Sequence, residues 1–155
     1  MNFNNFEVLQ NDFKTKEYDN FNEWSKIECK TIKNNDLIII HINIKSLSNK
    51  NFNMLKVYLE KIIKKIDIIV LTEINCKNEE MQYYGLENFN MTYKCREKRK
   101  GGGILIYTKQ SIQVTEKRNI TFKQAENIEI EIDNKNLIIN AIYRPPKTSI
   151  KEFLL

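Results

Sequence analysis

Leu37-Ile38-Ile39-Ile40 and Ile68-Ile69-Val70-Leu71 stand on either side of an amphipathic segment. Each is a continuous apolar run, which suits a strand buried on both faces. Between them, residues 46–51 are turn-like and offer helix N-caps. Phe52, Leu55, Leu59, Ile62, Ile63 and Ile66 then recur at helical spacing, with Lys56, Glu60, Lys61, Lys64 and Lys65 largely on the other side. The spacing predicts an amphipathic helix of about four turns, ended by Asp67. Strand, helix and strand at these lengths make a βαβ unit whose two strands run parallel.

Downstream, residues 75–86 read as loop or irregular helix, and residues 91–95 as a strand. Gly101-Gly102-Gly103 leads into the strand Ile104-Leu105-Ile106-Tyr107. Three further strands are predicted over 112–116, 126–132 and 137–143, with Asp133-Asn134-Lys135-Asn136 as a hairpin turn between the last two. A βαβ unit followed by antiparallel strands favours a layered α/β sandwich over a doubly wound fold. Residues 1–35 are polar and aromatic without a clear period, and read as an N-terminal lead or linker to a domain over 36–155.

The length of 155 residues suits one domain, and a hydrophobic content of 41% suffices for a core. Lys+Arg 25 against Asp+Glu 20 gives a net charge of +5. That excess permits binding to a polyanion without establishing it, and the general richness in Asn, Lys and Ile accounts for it equally well. Cys29, Cys76 and Cys95 form no CxxC pair, and His41 is the single histidine, which argues against a zinc site and a disulfide framework. Free thiols in a reducing compartment are expected. No apolar stretch follows a basic start at the N-terminus, so no signal peptide is read there. The longest apolar runs are too short to span a membrane.

Three polar residues end apolar runs: Asn43, Glu73 and Tyr143. Strand ends at one edge of a sheet are where ligands gather in α/β folds. There an Asn amide can orient water or phosphate. A carboxylate can meet a hard cation such as Mg²⁺, and a tyrosine hydroxyl can contact a phosphate oxygen. Taken singly, Asn43 also suits a strand-end cap, Glu73 a salt bridge or helix start, and Tyr143 a core tyrosine with a wet tip. Lys94, Arg96, Lys98, Arg99 and Lys100 form a basic stretch, open to reading as a solvated loop or as a set of phosphate-backbone contacts. The three glycines are no phosphate-cradling P-loop, because no GK[ST] follows; they suit a tight hairpin or close backbone packing.

Together, His41-Ile42-Asn43-Ile44-Lys45-Ser46-Leu47, Asp67 to Glu73, Lys98 to Ile104, Glu126 to Glu131 and Ile142-Tyr143-Arg144-Pro145-Pro146 resemble the endonuclease domain of non-LTR retrotransposons. That domain belongs to the endonuclease/exonuclease/phosphatase superfamily, with the AP endonucleases. The resemblance covers roughly residues 37–155. It implies a four-layer α/β sandwich, Mg²⁺ dependence, and nicking of DNA to prime reverse transcription. By motif match, Asn43 takes the place of the family's active-site Asn, Glu73 of its metal-binding Glu, and Tyr143 of the Tyr in its Y-x-P block. The family continues with an Asp-x-Asn strand, a further acid and a Ser-Asp-His block, which this chain lacks; His41 belongs to the first block and cannot replace that His. The expectation is therefore the N-terminal part of such a domain, with its C-terminal strands missing, inactive alone and prone to self-association. Its partner is expected to be DNA and its location nuclear or intracellular. The competing readings are a non-catalytic DNA-binding remnant and a decayed, inactive fragment.

Overall fold

The computed structural model describes residues 36–96, 101–117 and 125–146. The lead over 1–35 lies outside the described residues. Seven strands are found among the described ones: β1 Ile39–Asn43, β2 Ile68–Thr72, β3 Phe89–Lys94, β4 Ile104–Lys109, β5 Val114–Glu116, β6 Glu126–Ile132 and β7 Leu137–Tyr143. They form a four-stranded sheet ordered β1-β2-β4-β3 and a three-stranded sheet ordered β5-β6-β7. β1 and β2 pair in parallel, as strands joined by a helical crossover do, with Ile39 opposite Ile68 and Asn43 opposite Thr72. All other pairings are antiparallel.

The two sheets face each other. Ile68 and Val70 of β2 and Ile104 and Ile106 of β4 form one buried cluster with Ile128, Ile130 and Ile132 of β6 and Ala141 of β7. Strand alternation sends Ile69 and Leu71 to the opposite face, where they too are fully buried. That is the face on which a βαβ crossover lays its helix. α1, Asn49–Leu59, is capped by Ser48, whose hydroxyl accepts from the Asn51 N–H, and it buries Phe52, Leu55 and Leu59.

Two expectations need correction. The helix is shorter than its apolar spacing predicts. Ile62 and Ile66 are buried, but past Leu59 the bonds Ile62 N–H to Leu59 O and Lys65 N–H to Ile62 O tighten the chain into turns. The tightening steers the chain to Asp67, whose N–H donates to Ile38 O (3.0 Å) and whose carboxylate accepts from Ile38 N–H (2.9 Å). The second correction is β1. It is an edge strand, half exposed along its length, rather than a strand buried on both faces. Among the described residues the facing sheet ends at β7, and an open groove separates His41 of β1 from Ile139 to Ile142 of β7. Apolar content alone does not separate an edge strand from a central one.

The hairpin β6–β7 has the expected bounds, with Ile132 opposite Leu137 and Asn136 in the left-handed region at φ 47. The segment after β2 holds a 3₁₀ helix, Asn78–Tyr83. Among the described residues no helix is long and apolar enough to cross a membrane.

Candidate active site

β2 ends at Thr72, and the next residue, Glu73, takes a left-handed backbone at φ 57. That conformation costs an ordinary L-residue roughly 1–2 kcal/mol, and strain of this kind concentrates at functional sites. The turn is held against the glycine segment: Asn75 N–H donates to Gly102 O (2.9 Å) and Ile74 N–H to Gly103 O (3.4 Å). Gly103 has φ +84, and a Cβ there would stand 2.7 Å from Ile74 Cγ1. The chains pass this closely only because the residue is glycine.

Tyr143 is the last residue of β7. Its hydroxyl donates to Glu73 Oε1 at 3.2 Å, joining the two sheets across 70 residues of sequence. Burial pushes the Tyr143 phenol above its ordinary range; the charge of Glu73 and its hydrogen bond add to the shift, and Arg96 opposes them. Asn43 ends β1, one strand over from the Glu73 turn. Its Oδ1 accepts from Lys45 N–H at 3.1 Å, so its amide caps its own turn. The structure thus brings Glu73 and Tyr143 into contact and sets Asn43 opposite Thr72 on the neighbouring strand, with its side chain engaged by Lys45 N–H. His41 Nε2 lies 3.1 Å from Thr72 Oγ1, in a groove between β1 and β7.

Of the basic stretch, Lys94 closes β3 opposite Ile104. Lys98, Arg99 and Lys100 lie outside the described residues. Arg96 is turned inward. Its Nε and an Nη both pair with Glu126 Oε1, and the two side chains are only 18% and 11% exposed. Glu126 Oε2 in turn accepts from Gly103 N–H at 3.4 Å. The Arg96 guanidinium carbon lies 6.0 Å from the centre of the Tyr143 ring, at the outer reach of a cation–π contact. A Cβ on Gly102 would stand 2.8 Å from Glu126 Oε2 and 2.9 Å from Arg96 Cζ.

Sequence reasoning missed this ion pair, although a signal for it was present. Glu126 shares a strand face with Ile128, Ile130 and Ile132, which enter the core, and a carboxylate on a core face needs a cation. Among the described residues no group of three or more His, Cys, Asp or Glu is placed to hold a metal ion. Glu73 offers one carboxylate. That fits an ion held largely by water and a bound phosphate and does not fit a caged ion.

Two facing sheets, with an acid and a phenol meeting where their strands end, make a mixed α/β fold with a candidate site at one edge. Among solved structures the chain is similar to humanized D. rerio TDP2 carrying 14 mutations, with a TM-score of 0.50 and 17% identity over 75% of this chain and 51% of that one. The likeness is one of fold. The chain spans about half the length of that protein. No protein-family model matches the chain, and no curated protein matches it.

Proposed function

We propose that the chain carries an N-terminal fragment of a Mg²⁺-dependent DNA endonuclease domain of a non-LTR retrotransposon polyprotein with reverse transcriptase. The observation that supports this reading is the Tyr143 hydroxyl on the Glu73 carboxylate, at a strained turn where both sheets end. Phosphodiester hydrolysis places negative charge on the scissile phosphate and its leaving oxygen. A metal bound at Glu73 would supply charge stabilisation to that phosphate. In this reading Tyr143 holds the Glu73 carboxylate in one orientation and offers its hydroxyl to a non-bridging oxygen, and Asn43 orients groups on the adjoining strand. A single carboxylate binds Mg²⁺ weakly without a phosphate. In the resembling family the general base and the remaining acids belong to the Asp-x-Asn and Ser-Asp-His blocks.

The test extends the chain in frame through the coding DNA that follows codon 155 and assays nicking of supercoiled plasmid. Mg²⁺-dependent nicking by the longer protein, lost in Glu73→Gln, is the expected result. Downstream DNA without those blocks, in frame or after one frameshift, overturns the reading. So does nicking that is indifferent to Glu73.

A further inference from the structure

We propose that Arg96 is a positioning residue: braced by Glu126, its guanidinium backs the ring of Tyr143 and so fixes the hydroxyl on Glu73. The inference deepens the reading of Glu73 and Tyr143 as active-site residues and rests on it. Three observations carry it. The first is the grip. Two guanidinium nitrogens meet one carboxylate oxygen of Glu126, and the other oxygen is taken by Gly103 N–H. Both side chains are largely removed from water, so neither is free to swing away without leaving an uncompensated charge. The second is the register. Glu126 lies directly opposite Tyr143 on the neighbouring strand, so the brace and the ring share one face of one strand pair. The third is the room made for the pair. Gly102 is in a left-handed conformation at φ +86, and any side chain there would collide with both the Arg96 guanidinium and the Glu126 carboxylate.

The turn bearing Glu73 rests on the same glycine segment, through Asn75 N–H to Gly102 O and Ile74 N–H to Gly103 O. One backbone stretch therefore references both partners of the Glu73–Tyr143 hydrogen bond. It holds the acid directly and the phenol by way of Glu126 and Arg96. An arginine suits this role because its planar fork engages a carboxylate while its delocalised charge stays within reach of an aromatic ring; a lysine has no planar fork.

The test is whether Arg96 controls an interaction between two other residues. Tyr143→Phe and Glu73→Gln, singly and combined, give the coupling between phenol and acid from urea unfolding. The cycle is repeated with Arg96→Met. Coupling that is present with Arg96 and lost with Arg96→Met is expected. A loss of overall stability with the coupling unchanged shows a merely structural ion pair and overturns the proposal, as does the absence of coupling in the unaltered chain. If Arg96→Met does not fold, Arg96→Lys replaces it, since it keeps a cation beside Glu126. A diminished coupling is then expected, and an undiminished one overturns the proposal. Ring-flip rates of Tyr143 from aromatic NMR give a second readout: faster flipping in the Arg96 variant is expected, and an unchanged rate overturns it. Neither measurement depends on DNA cleavage, so failure of the nuclease reading and failure of this proposal are told apart.

Discussion

At the scale of single residues, a conformation that costs energy sits at the Glu73–Tyr143 contact. Glu73 is left-handed although it is neither glycine nor asparagine. Glu73→Ala and Glu73→Gly both delete the carboxylate, and only glycine tolerates the turn. Glu73→Gly is therefore expected to be the more stable by about 1 kcal/mol in urea unfolding; equal stabilities would show that the turn is unstrained. Gly102→Ala places a methyl group against Arg96 and Glu126 on a backbone that disfavours it, and is expected to cost about 2–4 kcal/mol. Gly85→Ala is the control. Nothing lies within 4 Å of the added carbon, and its effect stays within about 0.5 kcal/mol. The sequence made Glu73 and Tyr143 visible because each ends an apolar run. It hid Arg96 because a run of basic residues carries no mark of which member turns inward.

At the scale of elements, what was legible was what period and turn chemistry determine. The β6–β7 hairpin keeps its expected bounds because strand alternation and an Asn-rich turn agree there. The position of β1 was not legible. Whether an apolar strand is central or at the edge depends on partners far along the chain. The outcome leaves Ile39 on β1 and Leu137, Ile138 and Ile142 on β7 between 37% and 54% exposed. Among the described residues both strands are also sheet edges, the position from which strands pair with other chains. Self-association of the purified chain is expected, and Ile138→Lys with Ile142→Lys is expected to shift it toward monomer in sedimentation velocity. A monomer at high concentration without these changes would show that the edges are covered.

At the scale of the whole molecule, the titrating groups point to an alkaline limit on stability. Burial, followed by the charge of Glu80, pushes the Cys76 thiol from 9.0 up to about 12. Burial likewise raises the Tyr107 phenol, whose hydroxyl donates to Tyr84 O. These groups keep their protons in the folded chain and lose them in the unfolded one, so the unfolded state binds fewer protons as pH rises past 9. Stability is accordingly full below the unfolded values and falls as pH climbs toward 12. Cys76→Ala is expected to flatten that decline by about one proton of slope in urea midpoints taken across the range; an unchanged slope would assign the decline to the tyrosines. The long reach of the Glu73–Tyr143 contact has a kinetic side. β6 and β7 are joined by four residues and can close early, whereas Glu73 and Tyr143 stand 70 positions apart. The two halves of the site therefore reach their places by separate routes and meet only when the sheets dock. A chain stalled before docking would show most of its strand signal in circular dichroism with no pocket assembled, and amide exchange near Glu73 would report the docking step rather than the strands themselves.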